Sequence, residues 1–147
     1  MIVSTELVRD YPALAAWIKI RLPDAKDKPR VFKAFQRHAG LSEKVAVRAL
    51  QHGNPPEISF RNIPTANGEF IAKKWPGTVF IAKTICDRFE GSSVDAKDPR
   101  MHELVESTLL HEMVHWSNWA EGKVPTYEAG KAFEKDAYGK DVRRYWV

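Results

Sequence analysis

Two histidines four residues apart, with a glutamate directly after the first, stand at His111, Glu112 and His115. On a helix this spacing sets both imidazoles on one face, about a turn apart. Both rings can then reach one metal ion at ~2.0–2.1 Å. Glu112 lies one step round from His111, too far round for an obvious ligand but well placed to meet water at the metal. The chemistry these residue types fit is metal-assisted hydrolysis, with two ligands and a general base on a single helix. Leu109, Leu110, Met113, Val114 and Trp116 make the surroundings apolar nearly all round, so the helix is expected to be buried. Burying two histidines and a glutamate without partners is costly. A metal, a water channel or a hydrogen-bond network must offset that cost. The plain alternative is a pair of satisfied core histidines beside an exposed Glu112.

A catalytic zinc needs a third protein ligand and an open position. The pattern HExxHxxGxxH would supply that ligand just downstream. Asn118 and Glu121 occupy its Gly and His positions, which excludes that class. The other source is a carboxylate from a following helix, and Glu128 and Glu134 are the two candidates. Eighteen residues lie between His115 and Glu134. That separation is similar to the one in the large aminopeptidase branch of the gluzincins, and on this resemblance Glu134 is the first choice. Glu128 is the alternative. It falls in the first turn of the last expected helix, where a carboxylate is favoured electrostatically whatever else it does. Six residues apart on one helix, the two carboxylates face different ways, so only one is expected to bind. Asp136 is a more remote option.

The elements that must position these groups follow from caps and periodicity. Asp98 is a good N-cap and Pro99 suits the first helical position. No Gly or Pro follows until Gly122 and Pro125, so one long helix should carry the motif. A final helix is expected over Thr126 to Tyr138, stopped by Gly139. At the other end, Tyr11-Pro12 opens a helix with Leu14, Trp17, Ile18 and Leu22 on one face, ended by Pro23. Pro29 begins a second with Val31, Phe32 and Phe35, ended by Gly40. Ser42-Glu43 begins a third with Val45, Val47 and Leu50. The middle of the chain reads as strands: Glu57–Arg61, Gly68–Ala72 and Thr78–Ile81. Ile85 to Phe89 fits a helical turn or an edge segment, and 91–98 reads as a polar loop. The expected fold is α+β: N-terminal helices, a small antiparallel sheet of about three strands, the long motif helix and a C-terminal helix. One domain over 1–147 is expected, with its active-site core at about 98–139.

Bulk composition narrows the function classes. The 147 residues are 44% hydrophobic and include five Trp, seven Phe and four Tyr, enough to fill one core. The 23 basic and 19 acidic residues leave a net charge of +4, with the two signs interspersed. Such a pattern reads as a solvated surface rather than a nucleic-acid track. The densest basic spot, Arg143-Arg144 beside Tyr145 and Trp146, is too small to carry phosphate binding, so no nucleic-acid partner is expected. A basic nucleic-acid-binding domain is therefore the weaker alternative. The single cysteine, Cys86, reads as a small buried hydrophobe. No stretch approaches the ~20 apolar residues of a membrane span. Glu6, Arg9 and Asp10 interrupt any signal-peptide pattern at the start.

The stretch from Leu109 to Gly139 resembles a bacterial metallopeptidase-toxin family that includes C-terminal effector domains of type VI secretion spike proteins. The resemblance is carried by His111-Glu112-Met113-Val114-His115-Trp116 and by the run from Glu128-Ala129-Gly130 through Phe133-Glu134 to Tyr138-Gly139. The N-terminal helices and small sheet fit such domains as well. The resemblance implies a zincin-like, gluzincin-type fold, a Zn²⁺ ion and hydrolysis of a peptide or protein substrate. It further implies an antibacterial or host-directed toxin, made in the bacterial cytoplasm without a signal peptide. A secretion apparatus would deliver it to a target cell, into the periplasm, as part of a larger spike protein. An immunity protein is the partner such a toxin implies. Thermolysin-type third-ligand helices end Glu-x-x-x-Asp, whereas four residues after Glu134 comes Tyr138. Glu103, Glu106 or a backbone carbonyl is then expected to support the first histidine. Tyr138, Tyr127 and His102 are candidate oxyanion donors, with Tyr138 first among them. The strand near Thr78 to Ile81 is a candidate edge for aligning an extended peptide. A catalytically inert zincin-like adaptor is the main alternative, and the intact Glu112 speaks against it.

Overall fold

A computed structural model describes residues 1–147. The chain runs β1 (Ile2–Val3), α1 (Thr5–Asp10), α2 (Pro12–Arg21), a 3-10 stretch (Leu22–Asp27), α3 (Pro29–Ala39) and α4 (Glu43–Leu50). It continues with β2 (Glu57–Arg61), β3 (Gly68–Glu69), β4 (Thr78–Ala82), α5 (Lys83–Gly91), α6 (Ser93–Lys97), α7 (Pro99–Ala120) and α8 (Ala129–Tyr138). No helix is long and apolar enough to cross a membrane.

The long helix forms where its signals place it. The Asp98 carboxylate accepts the Arg100 N–H at 2.8 Å, Pro99 fills the first position, and the helix ends before Gly122. Its 22 residues bury Met101, Leu104, Val105, Leu109, Leu110, Met113 and Val114. α7 packs against β4 on one side and against α3 and α8 on the other. α3 and α8 pack on each other, with the Phe35 and Phe133 rings meeting edge-on at 6.4 Å. Near the end of α7, Ser117 Oγ donates to the Ala39 carbonyl at 2.9 Å and Asn118 Nδ2 to the His38 carbonyl at 2.9 Å. These two bonds fix the exit of the motif helix against the end of α3. One cluster of 37 buried apolar residues joins all these elements.

The sheet departs from expectation. It has four strands in the order β1-β2-β4-β3, and only β3 and β4 are antiparallel; β1 runs parallel to β2, and β2 to β4. The reason is the length of 62–77. A parallel connection needs a crossover of about a dozen residues or more, and this segment provides it by swinging out to lay Gly68-Glu69 on the far side of β4. Thr78–Ile81 therefore lies inside the sheet, and β3 is the edge. The Ile2–Val3 strand is too short to leave a period-two signal. Ile85 to Phe89 lies within α5, and the polar stretch at 91–98 contains the one-turn α6, capped by Ser92. α8 starts at Ala129 rather than Thr126, because Glu128 is its N-cap and accepts the Lys131 N–H.

Candidate metal centre

On α7 the His111 and His115 rings face each other with their Nε2 atoms 3.2 Å apart. Glu128, at the mouth of α8, brings Oε1 to 2.7 Å from His115 Nε2 and 3.6 Å from His111 Nε2. These three donor atoms all lie within 4.8 Å of one another. A tetrahedral zinc with ligands at ~2.0–2.2 Å sets neighbouring donors roughly 3.3–3.6 Å apart. Two edges of the triangle formed by His111, His115 and Glu128, 3.2 and 3.6 Å, match that spacing and the third, 2.7 Å, is a hydrogen-bond distance; two imidazoles with one carboxylate are a donor set that suits such an ion. The residues fit the metal.

The start of α8 explains why Glu128 can reach. As an N-cap it has extended backbone, so one carboxylate oxygen caps Lys131 while the other turns to the imidazoles. Glu134 sits elsewhere. Its Oε2 accepts a short hydrogen bond from His111 Nδ1, and its Oε1 accepts the Val142 N–H at 2.9 Å. Glu134 thus sets the His111 tautomer, with the proton on Nδ1 and the Nε2 lone pair facing Glu128 and His115. The first-choice carboxylate from the sequence therefore lies behind His111, and the alternative, Glu128, lies with the two Nε2 atoms.

Two glycines permit these approaches. A Cβ on Gly130 would come within 2.3 Å of His111 Nε2, so the ring packs directly on the α8 backbone. A Cβ on Gly68 would come within 2.7 Å of Thr108 and 2.9 Å of Glu112, so β3 lies against α7 at the level of the base. The sequence shows both glycines but gives no signal of what they touch.

Burial governs the charges. Glu112 is 7% exposed. Desolvation pushes its carboxyl up to about 7; the carboxylates of Glu128, Glu134 and Glu69 add to the rise, and His111 opposes it. Its Oε1 lies 3.9 Å from His111 Nε2. Burial also disfavours charge on His111, but the bond to Glu134 and the fields of Glu112, Glu134 and Glu128 outweigh it, so His111 is raised. His115 is lowered by burial and by its neighbour His111, against the pull of Glu128. For Glu128, burial works against ionisation, but the Lys131 N–H and the two histidines prevail and hold the carboxyl below its ordinary value.

The remaining candidates are engaged elsewhere. The Tyr138 hydroxyl donates to Glu106 Oε1 at 2.9 Å, and Lys28 Nζ meets the other Glu106 oxygen at 2.6 Å. Burial first, and then the charge and hydrogen bond of Glu106, raise the Tyr138 phenol well above its usual range. Glu103 pairs with Lys140. Neither Glu103 nor Glu106 supports His111; Glu134 holds that place. A ring nitrogen of His102 is 2.7 Å from the Ala96 carbonyl. Asp136 Oδ2 lies 2.6 Å from His38 Nε2, and His38 Nδ1 lies 3.0 Å from the Tyr127 hydroxyl. That chain ties α8 and α3 to the residue before Glu128. The separation of 98 residues between His38 and Asp136 leaves no local signal of this contact.

The donor set opens into a cleft. One cavity of about 490 Å³ is lined by Thr108, His111, Glu112, Glu134 and the segments around Asn67 and Arg143. A second, on the other flank, is lined by His115, Glu128, Phe70 and Trp119. A paired-histidine helix, a carboxylate from the following element and a buried carboxyl beside them are the equipment of a metal-dependent hydrolase. The family comparison narrows the class. The family model described as metallopeptidase toxin 3 matches residues 8–139, and the chain belongs to that family. No curated protein and no solved structure matches the chain.

Proposed function

We propose that this protein is a zinc-dependent peptidase in which His111 Nε2, His115 Nε2 and Glu128 Oε1 hold the metal and Glu112 is the general base. The observation that carries the reading is the convergence of those three donor atoms beside the buried carboxyl of Glu112. When bound, a zinc ion supplies Lewis acidity, polarising a carbonyl and making water more acidic. Glu112 takes the proton of the attacking water and returns it to the leaving amine. Glu134 is a positioning residue, holding His111 by Nδ1 so that Nε2 keeps its direction. The centre is gluzincin-like, because its third donor is a glutamate from a later element, and residues 1–147 act as one zincin-like domain. β3, the open edge beside Glu112, offers backbone groups to an extended substrate.

The toxin side of the reading rests on family membership and on the resemblance at Leu109–Gly139. On that reading the substrate is a protein of another cell. A secretion route such as a type VI spike carries the domain, and an immunity protein guards the producer.

The test is Glu112→Gln. The variant should bind zinc at one equivalent and cleave neither a casein substrate nor a quenched peptide mixture that the wild type cleaves. Retained cleavage removes Glu112 from its role, and a wild type that binds no zinc removes the centre.

A further inference from the structure

Two chemically different cavities flank the donor set, and the segment 67–72, which holds the two-residue β3, passes from one to the other. Asn67 and Gly68 line the first with His111 and Glu112, and Phe70 and Ala72 line the second with His115 and Glu128. The end at Phe70 is apolar, with Trp119, Val124 and Tyr127 exposed around it. The end at Asn67 is cationic, lined by Lys131, Arg143 and Arg144. Arg144 is held in place, donating to Asn67 Oδ1 at 3.1 Å and to the Ala66 carbonyl at 2.8 Å. The ammonium of Lys131 and the guanidinium of Arg143 make no ion pair, whereas Lys28, Lys83 and Lys140 are each paired with a carboxylate.

The acids at that end do not cancel the charge. Glu134 is taken up by His111 and the Val142 N–H, and Glu112 faces the imidazoles. Glu134 keeps its charge, because the His111 it holds is neutral, so Glu134 and Asp141 stand against three cations. With Lys131 and Arg143 unpaired, that wall keeps an excess of positive charge, which focuses its field on whatever occupies the cavity.

Strand polarity says which part of a peptide meets that wall. β3 is already antiparallel to β4, and its outer edge is open. A peptide added antiparallel to β3 gains the more stable pairing per residue. Its N-terminal side then lies at Phe70 and its C-terminal side at Asn67. We infer that the cleft selects peptides carrying a carboxylate on the C-terminal side of the bond to be cut, held by Arg143 and Lys131. Arg143 and Lys131 line the same cavity as His111 and Glu112, so the carboxylate is placed within about three residues, ~10 Å of extended chain, of that bond. An Asp or Glu side chain and a free C-terminal carboxylate both provide the group. The inference rests on the peptidase reading for the bond that is cut, and on the cleft alone for the charge that is bound.

The test has a cleavage arm and a binding arm. In the first, zinc-loaded wild type digests a diverse peptide library and the cut sites are read by mass spectrometry. Acidic residues or a free C-terminus should be enriched about five- to tenfold within three residues after the cut. Comparing free with amidated C-termini separates the two sources. The double variant Lys131→Glu, Arg143→Glu should reverse the preference towards Lys and Arg. Raising the salt to about 0.5 M should flatten it. In the second arm, the Glu112→Gln protein binds fluorescent peptides ending in acidic, amidated or lysine residues, and the acidic ones should bind tightest in an Arg143-dependent way. Cleavage without charge preference, or a preference unmoved by the double variant, overturns the inference and leaves the peptidase standing. Charge-dependent binding without cleavage upholds the cleft and overturns the peptidase. Neither cleavage nor preferential binding overturns both.

Discussion

Replacing Gly130 with alanine isolates the metal centre from the stability of the fold. Gly130 lies in the first turn of α8 and its φ is not positive, so the backbone accepts alanine without strain. Helix propensity alone favours Gly130→Ala by up to about 1 kcal/mol. The new methyl, however, would stand 2.3 Å from His111 Nε2, 2.4 Å from Cδ2 and 2.6 Å from Cε1. Restoring an ordinary contact of 3.4 Å requires the ring to retreat by about 1.1 Å. Glu134 pins that ring by Nδ1, so the retreat also stretches the bond that fixes its tautomer. The steric cost, about 1–3 kcal/mol, offsets the gain in propensity. The melting temperature of the metal-free protein should therefore move by only a few degrees. Zinc affinity should fall at least about 10- to 100-fold, the range for disturbed support of a metal ligand. Competition against a fluorescent zinc chelator gives the affinity, and calorimetry of metal-free samples gives the stability. A Gly130→Ala protein that binds zinc as tightly as wild type would show that His111 Nε2 is not a ligand in this position.

Three further outcomes follow from the same geometry. Glu128→Ala should weaken zinc binding by at least about 100-fold, whereas Glu134→Gln, which keeps an acceptor for His111 Nδ1, should weaken it by about tenfold or less; the same chelator competition ranks them. Without metal, burial raises the Glu112 pKa to about 7 from an unfolded value near 4.5, so its ionisation destabilises the fold progressively between those pH values. Metal-free Glu112→Gln should then be more stable than wild type by up to about 3 kcal/mol at pH 8 and equal to it below about pH 4.5, as urea titrations at the two pH values will show. Cys86 is fully buried and its thiol is pushed up to about 12, chiefly by desolvation. Iodoacetamide at pH 8 should leave it unmodified in the native protein and alkylate it in urea.

The sequence carried the motif helix almost completely, because its signals are local. Asp98, Pro99 and Gly122 mark its ends, and the spacing of His111 and His115 puts both rings on one face whatever packs around them. The α+β class was legible for the same reason, since α3, α4 and the β2 and β4 strands each have a period and a boundary of their own. What was not legible depends on where separate elements meet. The choice between Glu128 and Glu134 turns on α8 starting at Ala129, which turns Glu128 from a helix-surface residue into a cap with a free oxygen. The resemblance to gluzincin aminopeptidases pointed to Glu134, and Glu134 does touch His111, but at the opposite nitrogen. The parallel pairing of β2 with β4 depends on the route of 62–77, a segment with no strong period. The His38–Asp136 contact arises from residues distant in the chain and no local pattern announces it; the Arg143-Arg144 pair is visible in the sequence, but its place beside His111 and Glu112 is not.

The most direct measurement is anomalous diffraction at the zinc edge from crystals grown with zinc. One peak is expected between His111 Nε2, His115 Nε2 and Glu128 Oε1, at ~2.0–2.2 Å from each, with Glu134 still on His111 Nδ1 and Glu112 unbound beside it. A peak coordinated by Glu134 in place of Glu128, or no peak between the two imidazoles, contradicts the account.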